Sequence, residues 1–296
     1  MDSVKSFHQV NSYNRATSPG ADRRPLGSFI RDATQLTDEQ VDRILAYQRR
    51  SGVRFGEAAV ALRLVDRSDV VEALSQQYQY TAGFGGREAS RELVMAADPF
   101  GSQADAFREL RSRLLLEAFD ERNRSLAVVS PDAGDGKTYL AANLAVAFSQ
   151  LGVPTLLMDA DIRTPRQHEI FGVGHGAGLS SVLAGFTDAG ASVVAVPELP
   201  SLCLLPGGPV PPNPLELLQR PAFSALMHEL LQTYEHIVID TPAATRGADA
   251  RVIAAQSGAA LVVGRKDRSR MEPLEGLVQA LGRGRTRVAG VVMNEH

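Results

Sequence analysis

The apolar positions change period along the chain, and those changes divide it. Over residues 25–80 they fall at helical spacing, as in Val41, Ile44 and Leu45 and again in Val70, Val71 and Leu74. The two groups belong to a repeat. Leu26 and Gly27 return as Phe55 and Gly56, Ile30 as Ala59, and Leu36 as Val65; Val41, Leu45 and Gln48 return as Val70, Leu74 and Gln77, each pair 29 residues apart. Thr37, followed three residues on by Gln40, is a capping-box start. This pattern predicts two small helix pairs packed as one helical module. Residues 1–24 are polar and aperiodic, which predicts a flexible tail. Residues 81–100, glycine-rich at first and weakly patterned, read as a linker.

From Phe107 a helix is predicted to about Phe119. Short apolar runs then follow at Leu126–Val129, Thr155–Met158, Leu202–Leu205, Ile237–Ile239, Ala260–Val263 and Val288–Val292. Helical segments separate them at Leu140–Leu151, Ala222–Tyr234, Ala248–Gln256 and Leu274–Leu281. Strands that are apolar throughout and alternate with helices imply a mostly parallel sheet covered on both faces. The expected fold class is α/β, a three-layer domain over residues 101–296 behind the small helical one, with its ligand at the carboxyl ends of the strands.

The chemistry falls on those strand ends. Ser130-Pro131-Asp132-Ala133-Gly134-Asp135-Gly136-Lys137-Thr138 follows one strand and opens a helix, the setting a P-loop needs. Gly134 and Gly136 let the backbone curl so that N–H groups point at phosphate oxygens, and the helix N-terminus adds positive potential. Lys137 would reach the phosphates and the Thr138 hydroxyl a Mg²⁺ ion. Ala133, Asp135 and Tyr139 complete the predicted nucleotide contact. Pro131 stands where the pattern usually opens with glycine, so a plain glycine-rich turn is the alternative. Asp159 and Asp161 lie two apart at the end of the second strand, where alternation would point both to one side. Like charges so placed need a cation or a proton between them, which suggests a metal or catalytic role; a solvated turn is the alternative. Asp240 directly follows Ile237-Val238-Ile239, the layout of an acid that holds Mg²⁺ directly or through water, although an acid after a strand is also a common cap.

Composition narrows the function classes. The chain has 296 residues, 44% hydrophobic and 22% charged, with 31 basic against 34 acidic side chains and a net charge of −3. That balance argues against a protein whose main work is coating nucleic acid. No run approaches a membrane span, the N-terminus has no apolar signal core, and the single cysteine, Cys203, fits a reducing cytosol. Seven basic residues between Arg265 and Arg287 would form a solvated edge or face acidic headgroups or a partner's tail.

Together the P-loop, Leu156-Leu157-Met158-Asp159-Ala160-Asp161-Ile162-Arg163 and Ile237-Val238-Ile239-Asp240-Thr241-Pro242 resemble the Walker A, A′ and B motifs of bacterial tyrosine kinases. The chain is most similar to those paired with chain-length-determinant proteins in exopolysaccharide export. Arg166-Gln167-His168, Gly178-Leu179-Ser180 and Pro211-Pro212-Asn213-Pro214-Leu215-Glu216-Leu217-Leu218 extend the resemblance, which covers about residues 98–296. It implies ATP and Mg²⁺ held by Lys137 and Thr138, with Asp161 and Asp240 serving the metal. Asp159 would be the base toward an incoming tyrosine hydroxyl, a role that requires hydrogen-bond reach to it. Arg163 would either steady the developing charge or pair with a neighbouring acid. Asn294 would contact adenine or simply form a turn. Asp105, Arg108 and Arg111, three apart on one helix face, resemble the element that builds ring-shaped oligomers in that family; a solvated charged face is the alternative.

The same resemblance implies a cytoplasmic protein, peripheral at the inner face of the inner membrane through a membrane-spanning chain-length determinant, and homo-oligomeric. The tyrosine cluster that usually ends these kinases is missing: tyrosines stand only at 13, 47, 78, 80, 139 and 234. A nucleotide-switched scaffold that phosphorylates nothing is therefore the second expectation. The repeat resembles the tandem motif of secretion-ATPase N-terminal domains, with residues 25–48 and 54–77 as its units. This implies a cyclic di-GMP site at 25–77, with a protein-docking module as the alternative. Pro25, Thr34 and Arg63 depart from that motif.

Overall fold

The computed structural model describes residues 30–31, 34, 36–66, 69–70, 73, 92–120, 123–284 and 286–295. The tail at 1–24, the start of the first repeat at Pro25–Gly27, Gln77 at the end of the second, and residues 81–91 of the expected linker lie outside them.

In the N-terminal part, α1 (Asp38–Ser51) and α2 (Phe55–Ala61) surround a small core of their own. The repeat register carries into three dimensions. Ile30 and Ala59 are both fully buried, as are Ile44 and Ala73, while Leu36 and Val65 are buried to nearly the same depth. Even the caps correspond. The Thr37 N–H donates to Gln40 Oε1 and the Asp66 N–H, 29 residues on, to Asp69 Oδ2, each at 2.8 Å. A Cβ on Gly56 would collide with Val70, so the second copy needs its glycine for close packing.

The rest is a seven-stranded sheet with helices on both faces. After α3 (Val94–Ala97) and α4 (Ser102–Glu117) come β1 (Ser125–Val129), α5 (Lys137–Ser149) and β2 (Thr155–Asp159). Short helices α6 (Gln167–Ile170), α7 (Leu179–Leu183) and α8 (Ala189–Ser192) lead to β3 (Val194–Ala195) and β4 (Leu202–Leu205). Then follow α9 (Pro214–Leu218), α10 (Pro221–Thr233), β5 (His236–Asp240), α11 (Asp249–Ser257), β6 (Ala259–Arg265), α12 (Met271–Arg283) and β7 (Arg287–Asn294). Strand order is β3-β4-β2-β5-β1-β6-β7, parallel except for the β3–β4 pair. All six strands expected from the apolar runs are present. The two exposed residues of β3 are too few to show any period.

Period-two alternation assigns each strand side chain to one of two cores. Leu126 and Val128 face the layer of α3, α4 and α5, with Phe107, Leu114 and Leu144. Ala127 and Val129 face the layer of α10, α11 and α12, with Phe223, Ile253 and Leu277. Helix α5 is buried almost along its whole length because its alanines allow close approach to the sheet centre. The chain leaves β1 toward β2 and β6 toward β7, in opposite directions from neighbouring strands. The crevice that this reversal opens at the carboxyl ends is where such sheets bind ligands.

One boundary needs correcting. Part of the expected linker, from Glu92, packs on the sheet domain: Leu93 and Met95 are fully buried in the α4–α5 core. Asn143 holds this segment in place by accepting from the Met95 N–H (3.1 Å) and donating to the Glu92 carbonyl (2.6 Å). The sequence pattern missed it because four helical residues are too few to show a period.

Candidate functional site

The loop from β1 to α5 turns through two glycines with left-handed backbone, Gly134 at φ +84° and Gly136 at φ +98°. Asp135 is fully buried, and its side chain faces away from the cavity. Its Oδ2 accepts from the Asp132 N–H (2.9 Å), closing the turn, and its Oδ1 accepts from Ser269 Oγ (2.9 Å), tying the loop to the start of α12. Asp135 thus shapes the loop. Lys137 lies back along it, donating to Ser130 Oγ at 2.9 Å and to the Asp132 carbonyl at 3.3 Å. Burial pulls its pKa below the usual lysine value, opposed by the charges of Asp240, Asp135 and Asp161.

Above the loop opens a cavity of about 610 Å³. Ala133, Gly134, Gly136, Lys137, Thr138, Tyr139, Asp161 and Asn294 of the expected set line it. Asn294, at the end of β7, donates to the Asp135 carbonyl (3.2 Å), and a Cβ on Gly136 would collide with its amide. The glycine is therefore required both by its φ and by the close approach of β7.

Asp159 and Asp161 do not share one side, as the alternation suggested they would. β2 ends at Asp159, so the chain turns there and the pair is split. Asp161 lines the cavity, whereas Asp159 is fully buried and does not. The Asp159 carboxylate accepts from the backbone N–H groups of Asp161 (3.2 Å), Arg166 (2.9 Å) and Gln167 (2.9 Å), and so anchors the loop that carries Asp161. Burial, and then the charge of Asp240, push its pKa well up, against those hydrogen bonds. Asp240 is also buried. Its Oδ2 accepts from Gln167 Nε2 (2.9 Å), while Oδ1 has no partner. Burial lifts its pKa to about 6, with hydrogen bonds from Gln167 and Thr138 and the charge of Lys137 pulling the other way.

An unpartnered buried carboxylate oxygen beside a P-loop threonine is what a Mg²⁺ ion would satisfy, so the residues fit that ion. No three His, Cys, Asp or Glu side chains cluster among the described residues. Mg²⁺ does not need such a cage, since it usually takes one or two carboxylates together with phosphate oxygens.

The arginines are sorted by geometry. Arg163 forms a two-point pair with buried Asp249, at 3.1 and 3.2 Å, and is committed there. Arg166 pairs with Glu92 at the cavity rim. Arg265 and Arg268 donate to the carbonyls of Gly134 (3.2 Å) and Ala133 (3.4 Å). The start of the basic stretch therefore covers the P-loop instead of facing outward, because it follows directly on β6 at the crevice. Arg246, on the turn after β5, also lines the cavity. Neither Arg246 nor Gln167 was singled out as a site residue from sequence. Gln167 stood within the Arg166-Gln167-His168 match without a role; Arg246 had no sequence signal. On α4, Arg108 pairs with Asp105 (2.8 Å) and reaches the Pro99 carbonyl, while Arg111 donates to the Ala147 carbonyl (2.7 Å). Both basic side chains thus bond within the chain.

This strand order, P-loop and acid set define a P-loop nucleotide-binding domain, and residues 126–296 match the family described as the CobQ/CobB/MinD/ParA nucleotide binding domain. Tyrosine-protein kinase YwqD of Bacillus subtilis (strain 168) is 31% identical over 209 residues, 71% of this chain and 88% of that protein. The kinase domain of Escherichia coli tyrosine kinase ETK superposes with a TM-score of 0.67 at 27% identity, covering 70% of this chain and 81% of that one. The chain belongs to the CobQ/CobB/MinD/ParA family and, within it, to the bacterial tyrosine-protein kinases of P-loop type. The fold is shared more widely. The septum site-determining protein MinD of Pyrococcus horikoshii OT3, solved with Mg-ADP, has a TM-score of 0.52 at 24% identity over 58% of this chain and 70% of that one.

Proposed function

We propose that the protein is an ATP- and Mg²⁺-dependent protein-tyrosine kinase. The observation that carries this reading is the cavity itself: a P-loop with its lysine and threonine, facing Asp161 and backed by an unpartnered Asp240 oxygen. The loop N–H groups and Lys137 would hold the phosphates. Thr138, Asp161 and Asp240 would hold Mg²⁺, which when bound neutralises phosphate charge, and Asn294 would meet the base. Phosphoryl transfer needs positioning and charge compensation more than a strong base. Because Asp161 lines the cavity and Asp159 does not, the geometry favours it over Asp159 as the carboxylate that meets an incoming group. Asp159 keeps that carboxylate in place through the loop.

The wider setting rests on the sequence resemblance. In this reading the kinase regulates exopolysaccharide polymerisation and export with a membrane-spanning chain-length determinant, at the inner face of the inner membrane, as a homo-oligomer through the Asp105, Arg108 and Arg111 helix. No helix among the described residues is long and apolar enough to cross a membrane. The repeat at 25–77 is the candidate for cyclic di-GMP, and titration of the full chain with that dinucleotide tests it.

One observation favours the scaffold reading. Of the described tyrosines, Tyr234 is buried and Tyr47 and Tyr139 are half-buried, so none is presented as an acceptor. Incubation with Mg·ATP followed by phosphotyrosine detection separates the two. The kinase reading predicts a signal, on the chain or on an added tyrosine polymer, that Lys137→Met abolishes. ATP turnover without phosphotyrosine would establish the scaffold.

A further inference from the structure

Arg163, which from sequence would either steady the developing charge or pair with a neighbouring acid, does the second, with Asp249. Arg246 is placed differently. It lies on a 3₁₀ turn, Ala244–Arg246, a few residues beyond Asp240, and lines the cavity together with Lys137, Thr138 and Asp161. Its Nη1 donates to Thr164 Oγ1 (3.3 Å), and that hydroxyl donates in turn to Asp161 Oδ2 (3.0 Å). Arg246 is thus linked through one hydroxyl to the acid that faces the cavity. It forms no ion pair among the described residues, whereas Arg166 pairs with Glu92 and Arg265 donates to a P-loop carbonyl. Its positive charge acts on the Lys137 ammonium, which lines the same cavity. The turn is held in place: the N–H groups of Ala244 and Thr245 donate to the carbonyls of Ser130 (2.9 Å) and Pro131 (3.0 Å), at the mouth of the P-loop.

We infer that Arg246 is a catalytic residue supplied within the chain, contacting the terminal phosphate of ATP and compensating the charge that spreads over its oxygens during transfer. The inference rests on the kinase reading and adds a residue to it. In the step it serves, the tyrosine oxygen bonds to the terminal phosphorus, the bond to the bridging oxygen breaks, ADP leaves with that electron pair, and the hydroxyl proton passes to a carboxylate or water. An arginine at this point acts through a planar fork of N–H donors that matches two phosphate oxygens at once. Asp161, through Thr164, aims the fork from behind.

The test is a comparison of nucleotides by calorimetric titration of the full chain. Wild type, Arg246→Ala and Arg246→Lys are each titrated with Mg·ADP and with a non-hydrolysable ATP analogue. A residue that touches only the terminal phosphate predicts ADP binding unchanged within about twofold in Arg246→Ala, and analogue affinity down about tenfold or more. Phosphoryl transfer should fall by about 100-fold or more, as when a single preorganised donor is removed from a reacting oxygen. Arg246→Lys should keep part of the binding and little of the rate, and added guanidinium should restore part of the rate to Arg246→Ala. Equal weakening of both nucleotides would overturn the inference in favour of a merely structural turn. Unchanged analogue affinity with unchanged rate would overturn it outright. A wild-type chain that binds neither nucleotide would overturn the kinase reading itself, and this inference with it.

Discussion

Asp240 holds its charge against its surroundings. With its pKa lifted to about 6, the folded chain takes up a proton there that the unfolded chain, near 3.8, does not, so stability falls as pH rises between those values. At neutral pH the ionised carboxylate costs the nucleotide-free fold roughly 3 kcal/mol, a strain that a bound cation would relieve. Asp240→Asn should therefore raise the melting temperature at pH 7.5, by about 5 °C or more, while abolishing the Mg²⁺ dependence of nucleotide binding. Thermal denaturation with and without Mg²⁺ checks both; a lower melting temperature would show that the charge is held by partners, not endured. His236 works in the opposite direction. It packs against the rings of Phe148 (4.7 Å) and Phe119 (5.2 Å), its Nδ1 is buried without a partner, and burial lowers its pKa below 6.5. The unfolded chain then takes the proton first, so stability is lost as pH falls below 6.5. His236→Phe should therefore raise the denaturation midpoint at pH 5 more than it changes the midpoint at pH 7.5, each compared with wild type. At this scale the sequence singled out residues for the site but not their placement. Lys137, Thr138 and Asp161 line the cavity. Asp159 became a loop anchor because the strand ended on it, and Arg163 went to Asp249, a partner 86 residues away.

Elements were legible where a buried period ran long enough. The five central parallel strands follow from continuous apolar runs, since a strand covered on both faces has no polar side to show, and β7 follows from its apolar run although it lies half-exposed at the sheet edge. The short elements were not legible, and the segment from Glu92 is the instructive one. Leu93 is fully buried in the α4–α5 core although the flanking pattern reads as linker. Leu93→Ala in the full chain should destabilise the sheet domain by about 2–4 kcal/mol by leaving a cavity, whereas a linker residue would change stability by no more than about 0.5 kcal/mol. Chemical denaturation followed by the near-ultraviolet signal of the domain distinguishes the two. The P-loop was legible because its glycines are dictated by backbone geometry. Gly136→Ala meets both the left-handed φ and the Asn294 amide, so it should remove nucleotide binding while leaving the helical content intact by circular dichroism.

For the whole molecule, two units of different period share one chain. The 29-residue repeat appears in the structure as matched burial and matched caps, a correspondence that sequence self-similarity alone made visible. The sheet domain carries the P-loop, and its family membership rests on the match over residues 126–296 and the similarity to bacterial tyrosine-protein kinases. The proposed function turns on a metal–triphosphate that would be held between the P-loop and Asp161. The most direct test is titration of the full chain with a non-hydrolysable ATP analogue, with and without Mg²⁺, against Lys137→Met. Binding that Mg²⁺ tightens and that Lys137→Met weakens by about tenfold or more is the predicted result. Binding that is absent, or equal in both proteins and indifferent to Mg²⁺, would contradict the account.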